Sequence, residues 1–261
     1  MPKFAANLSM MFNEAPFLER FAAAAEAGFR GVEYLFPYDY PAEAIEELLR
    51  KHKLENVLFN LPPGNWSAGD RGTTCIPGRE EEFRAGVEAA LKYALRLKAR
   101  QVHAMAGIAP AGADAAALRA TYIANLKYAA AQFAPHGIAL LIEAINTRDM
   151  PGFYLNTQAE SYAAMTAVGA PNLKMQMDCY HMQIMEGDLA VKLRKYAAHC
   201  GHVQVAGVPE RHEPDTGEVR YSYIFELLDA IGYRGWVGCE YRPAGKTADG
   251  LGWFHQLKEN K

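Results

Sequence analysis

Three acids and an amide in the second half of the chain stand where chemistry can be done: Glu143, Asp178, Gln204 and Glu240. Each lies toward the end of a short apolar run in which successive side chains of a strand would point to opposite faces. In those runs Leu140 and Ile142, then Leu173, Met175 and Met177, then Val203 and Val205, then Val237, Cys239 and Tyr241 share one phase. The two glutamates, the aspartate and the glutamine therefore share the other. They lie 35, 26 and 36 residues apart in turn, close to the roughly 30 residues of one strand-helix-strand unit, so each comes from its own strand. Three carboxylates converging at one end of a sheet would repel and raise one another's pKa unless a cation sat among them. A divalent metal is the economical answer, and oxygen donors suit Mg2+ or Mn2+, whereas Zn2+ usually recruits His or Cys. The competing reading pairs such acids with inward basic residues, but the sole inward lysine in these strands, Lys174, falls near the opposite end.

Earlier strands offer weaker candidates. Asn7, Glu33 and Asn60 stand near the ends of the first three, and His103 in the fourth, each read first as a supporting hydrogen-bonding residue. His181, three residues after Asp178, belongs to the same strand-end loop and is a candidate for touching substrate.

The elements that must hold these residues follow from periodicity. Eight apolar runs, at 4–8, 31–35, 56–60, 101–107, 139–145, 173–178, 202–206 and 236–241, alternate with stretches whose apolar residues recur every three or four positions, such as Phe17, Phe21 and Ala25. Eight strand-helix units predict an α/β fold, a single (β/α)8 barrel over residues 1–261. A doubly wound open sheet uses the same alternation, yet the chain has neither a Gly-x-Gly-x-x-Gly turn nor a P-loop. Two connections exceed the usual two to six residues, 61–78 and 207–219. Both follow strands and belong to the carboxyl face, where barrel sites are built.

Composition narrows the function classes. The 261 residues are 50% hydrophobic with a formal charge of −3, and the basic residues are dispersed, which argues against a nucleic-acid partner. No apolar run approaches a membrane span and the amino terminus turns polar at once, so a cytoplasmic enzyme without a membrane partner is expected. Cys75, Cys179, Cys200 and Cys239 lack short spacings and are expected as reduced thiols.

A series of strings in one order carries a family likeness: Phe4-Ala5-Ala6-Asn7-Leu8-Ser9-Met10, Gly28-Phe29-Arg30-Gly31-Val32-Glu33, Phe36-Pro37-Tyr38, Pro77-Gly78-Arg79, Ile142-Glu143-Ala144-Ile145-Asn146, Gln176-Met177-Asp178-Cys179-Tyr180-His181, Gly201-His202-Val203-Gln204-Val205-Ala206 and Gly238-Cys239-Glu240-Tyr241. From about residue 4 to residue 255 the chain resembles the hydroxypyruvate isomerase family of xylose isomerase-like TIM barrels. Two local departures are Ala144, where the family often has proline, and Gln204, where epimerase relatives often carry histidine. The resemblance implies metal ligation by Glu143, Asp178, Gln204 and Glu240, with Glu143 and Glu240 as acid/base catalysts on opposite sides of a small hydroxy-keto acid. Hydroxypyruvate, converted to tartronate semialdehyde through an enediolate, is the first expected substrate; 2-oxo-tetronate is the alternative, and a ketose 3-epimerase a more distant one. Such a substrate needs a carboxylate clamp, for which Arg211 and His181 lead and Arg71 and Arg242 follow, while Trp66 and Tyr38 are placed either to close over the site or to pack beneath the long loop. The family habit also hints at a homo-oligomer.

Overall fold

The computed structural model describes residues 2–259. Eight parallel strands are present: β1 (Lys3–Asn7), β2 (Gly31–Tyr34), β3 (Glu55–Phe59), β4 (Gln101–His103), β5 (Ala139–Glu143), β6 (Leu173–Asp178), β7 (Cys200–Val205) and β8 (Trp236–Cys239). They pair in the order β3-β2-β1-β8-β7-β6-β5-β4. The ring closes between β3 and β4 through a bridge from Asn60 to His103, where the Leu61 N–H donates to the His103 carbonyl at 2.8 Å. The helices α1 (Arg20–Glu26), α2 (Ala42–His52), α3 (Glu80–Leu97), α4 (Ala115–Phe133), α5 (Gln158–Val168), α6 (Cys179–Met185), α7 (Leu189–Tyr196), α8 (Tyr221–Ala230) and α9 (Gly252–Glu259) follow the strands, two of them after β6.

Local sequence accounts for where helices begin. Asp114 accepts from the amides of Ala116 and Ala117 at the start of α4, and Thr157 with Glu160 forms a reciprocal capping pair that starts α5. Three glutamates, Glu80, Glu81 and Glu82, complement the dipole in the first turn of α3.

Strand alternation divides the core in two. Leu140, Ile142, Met175, Met177, Val203, Val205, Val237 and Cys239 pack outward with the helices in one continuous apolar layer. Inside the barrel a second, small cluster of Ala5, Val57, Leu58 and Leu141, with Ala139 and Trp236 against it, fills the amino end. The carboxyl half of the interior is left to polar side chains.

The boundaries differ from the sequence expectation in three informative places. The fourth strand ends at His103 rather than running to residue 107, because the segment beyond turns to hold the long loop after β3. There the Cys75 N–H donates to the Ala106 carbonyl and the Thr74 hydroxyl to the Met105 carbonyl. The fifth ends at Glu143, since the Ile145 N–H leaves the sheet for the Leu155 carbonyl. The eighth ends at Cys239, so Glu240 stands one residue past the sheet. Connections 104–114 and 144–157 thus join the two expected long loops.

Gly72 lets two of these loops approach closely, with φ +108° and the position of a Cβ 2.2 Å from the Met105 carbonyl oxygen. Replacing Gly72 with alanine forces main chain against main chain, so urea unfolding is expected to show a loss of about 1–3 kcal/mol. An unchanged midpoint would contradict this account of the loop packing.

Candidate active site

The alternation that buries aliphatic side chains outward delivers Glu143, Asp178, Gln204 and Glu240 to the carboxyl end of the barrel interior, all buried. Glu143 is the last residue of β5 and Asp178 the last of β6. Gln204 pairs in register with Asp178 across β6 and β7. Oxygens of Glu143, Asp178 and Glu240 and a ring nitrogen of His181 lie within 4.8 Å of one another. His181 is in the first turn of α6 rather than in a loop, because the Asp178 carboxylate caps that helix, accepting from the Tyr180 N–H at 2.8 Å.

Among these acids the hydrogen bonding is incomplete. Glu143 Oε1 and Asp178 Oδ2 are buried without a donor. Glu240 Oε1 accepts from Asn7 Nδ2 at 3.3 Å, and its Oε2 accepts from Arg211 at 2.5 Å. Burial, then repulsion from Glu240 and Asp178, pushes Glu143 well above the carboxylate range. Burial raises Asp178 to about 6 and Glu240 to about 8, with Arg211 opposing the shift in both. Acceptors left bare amid converging carboxylates fit a divalent cation: the residues present supply three carboxylates and the Gln204 amide on the adjoining strand, with the His181 ring beside them.

Arg211 was expected in a loop and lies almost fully buried there. Its backbone occupies the left-handed region at φ +61°, an unfavourable place for arginine. Its N–H donates to the Gly207 carbonyl and its carbonyl accepts from the Arg242 N–H, each at 2.8 Å, which pins the turn. The guanidinium then lies 3.6 Å from Asp178 Oδ2, bonds Glu240, and stacks 4.8 Å above the Tyr180 ring. His181 Nδ1 lies 2.6 Å from Asn146 Nδ2, so Nδ1 accepts and the proton sits on Nε2, 3.5 Å from Asp178. Burial, reinforced by the Arg211 charge, holds His181 far below its ordinary pKa and keeps it a neutral donor.

The weaker candidates form the floor. Asn7 Nδ2 reaches both Glu33 and Glu240, Glu33 bonds His202, and His103 lies against Asn60 and 3.8 Å from Glu143. Burial keeps His103 neutral, lowering its pKa to about 3. Two other arginines stand apart: Arg71 lies over the Trp66 ring at 3.9 Å and donates to loop carbonyls, and Arg242 is exposed. Tyr38 packs beneath the loop with its hydroxyl on the Asn60 carbonyl. Trp66 rests edge-on against Phe36.

Asn146, Asp149 and Tyr180 were not singled out by spacing. Asp149 Oδ2 accepts from the Tyr180 hydroxyl at 2.8 Å and from Asn146 at 3.3 Å, coupling the loop after β5 to α6 and so to His181. The signal of Asn146 and Asp149, polar residues just past a strand end, was visible only once that end was placed at Glu143.

The match to known proteins is extensive. The family model described as xylose isomerase-like TIM barrel aligns with residues 21–257. The chain belongs to the xylose isomerase-like TIM barrel family. A 2-oxo-tetronate isomerase of Cupriavidus necator is 56% identical over 254 residues, 97% of this chain and 98% of that protein. A hydroxypyruvate isomerase of Escherichia coli is 49% identical over 254 residues, with the same shares covered. A crystal structure titled AP endonuclease, family 2, from Brucella melitensis superposes with TM-score 0.97 at 55% identity, covering 98% of this chain and 99% of that one. As a member of this family with such relatives, the chain is an isomerase.

The acids give the cation-free isomerase a definite pH response. Above about pH 6.5 the neutral His103 and His181 contribute little further, Asp178 is giving up the last of its proton, and Glu240, at about 8, still holds one that the unfolded chain has released. The folded state then binds more protons, so stability falls as pH rises through the folded pKa values. The Tm of EDTA-treated isomerase is expected to drop from about pH 6.5 to 8.5, and added Mn2+ to reverse the drop increasingly with pH. A metal-free Tm that rises over this interval would contradict the site electrostatics.

Proposed function

We propose that this isomerase moves the carbonyl of a short 3-hydroxy-2-oxo carboxylate from C2 to C3 by way of an enediolate. Hydroxypyruvate, giving tartronate semialdehyde, and 2-oxo-tetronate share that reacting unit, and they are the substrates named for the two isomerase relatives. The observation carrying the proposal is a pair of buried, unequally held glutamates that enter one cluster from β5 and from the end of β8.

Glu143, with one oxygen bare, takes the proton from C3. Glu240, anchored by Arg211 and Asn7, returns a proton to C2. Between these events the C3 hydroxyl loses its proton and the C2 oxygen gains one, so the product is an isomer. Arg211 offers a fixed positive charge to the substrate carboxylate or to the charge developing on oxygen, and neutral His181 offers an Nε2–H beside it. Mg2+ or Mn2+ held by Glu143, Asp178, Gln204 and Glu240 would supply Lewis-acid stabilisation of negative charge on the two substrate oxygens. Phosphodiester cleavage finds less support, since the formal charge is −3 and the described residues hold one such acidic cluster.

An NMR assay of hydroxypyruvate and 2-oxo-tetronate in D2O, with EDTA and then Mn2+ or Mg2+ rescue, tests this reading. Turnover with deuterium entering C2, lost on chelation and restored by metal, is the expected result. No turnover and no exchange with either acid in metal-replete protein would overturn it. Glu240→Gln is expected to lower turnover by about a thousandfold or more while circular dichroism stays unchanged; near-normal activity in that variant would remove Glu240 from the mechanism.

A further inference from the structure

Glu33, on β2, plays no direct part in the proton transfers, yet its carboxylate is one of the most fully bonded groups in the barrel. Its Oε1 accepts from Gln204 Nε2 at 2.8 Å and from Asn7 Nδ2 at 3.0 Å, and its Oε2 lies 2.7 Å from His202 Nε2. A carboxylate only accepts, so His202 carries its proton on Nε2. β8, one strand beyond β1, makes room for it. The position of a Cβ on Gly238 would lie 2.3 Å from Glu33 Oε2 and 2.5 Å from Oε1, so β8 forgoes a side chain where the carboxylate crosses the interior.

The two ends of the Gln204 amide are nearly the same shape, and only hydrogen bonding decides which end faces which way. Facing Glu33, the NH2 end makes a charge-assisted bond in a buried setting; the reverse orientation would set oxygen against carboxylate. The far end is then the oxygen, which accepts from Gln176 Nε2 at 2.6 Å and keeps a second lone pair. Gln204 stands in register with Asp178, so its main chain is on the level of the strand end that carries the carboxylate cluster.

We infer that Glu33 is a positioning residue that locks the Gln204 amide so that its oxygen, and not its NH2 group, is available to a divalent cation. The inference rests on the reading of Gln204 as a ligand, and the experiment separates the two. Isothermal titration with Mn2+ is run on EDTA-stripped wild type, E33Q, E33D, Q204A and E33D/Q204A, with near-UV circular dichroism as the check on folding. Glu33→Asp keeps the charge and withdraws the acceptor by one methylene, so it distinguishes orientation from simple loss of a negative charge, and it carries the test if E33Q does not fold.

Mn2+ affinity is expected to fall about ten- to a hundredfold in both E33Q and E33D. Q204A is expected to lose affinity as well, and E33D/Q204A to bind within about twofold of Q204A, because the two residues act as one unit. Wild-type affinity in E33D beside a loss in Q204A would overturn the role of Glu33 and leave Gln204 as a ligand. An E33D loss of equal size in the Q204A background would show that Glu33 acts by another route, and also overturn it. Wild-type affinity in Q204A would remove the ligand reading itself and the inference with it.

Discussion

Gathering carboxylates in a dry interior is the constraint on which the rest of this molecule depends. Each buried charge costs several kcal/mol unless positive charge and donors meet it. Glu143, Asp178, Glu240 and Glu33 are all nearly inaccessible to solvent in one half of the barrel. The fold responds with unequal means. Glu33 receives three donors, Glu240 receives Arg211 and Asn7, and Asp178 caps α6 with one oxygen. The oxygens left over, on Glu143 and Asp178, are where a cation has most to gain.

This arrangement needs rigid strand ends, and the barrel provides them from two directions. Apolar side chains fill the amino end of the interior, so the polar layer rests on a packed floor. On the carboxyl face, loops from different units hold one another. The Asn146–Asp149–Tyr180 chain orients His181, and the turn around Arg211 is tied to the segment after β8. The left-handed backbone at Arg211 persists because these bonds surround it. A loop residue can thereby be held with the precision of a strand residue, as the proposed proton transfer between adjacent carbons requires.

Much of this was legible in the chain because strand alternation is a strict rule. The outward phase of Leu140 and Ile142, or of Met175 and Met177, left no choice about where Glu143 and Asp178 point. Eight repeats of strand and helix specified the barrel for the same reason, and the observed sheet and the family match agree with it. What periodicity does not encode is where a strand stops. Apolar residues continue past His103 and Glu143, but their backbone groups pair with neighbouring loops, and that competition depends on residues such as Cys75 and Leu155 far along the chain. The supporting roles of Asn146, Asp149 and Tyr180 were hidden with it. Arg211 illustrates the converse: its type suggested an anion clamp, while its burial among Glu240, Asp178 and Tyr180 is a tertiary fact.

The central claim is that the converging acids are a cation site. Anomalous diffraction from crystals of this isomerase soaked in Mn2+ tests it most directly. The account predicts a single strong peak at oxygen-ligand distance, about 2.1–2.4 Å, from Glu143, Asp178, Gln204 and Glu240. A saturated crystal with no peak among these residues, or with the ion bound elsewhere on the barrel, would contradict it.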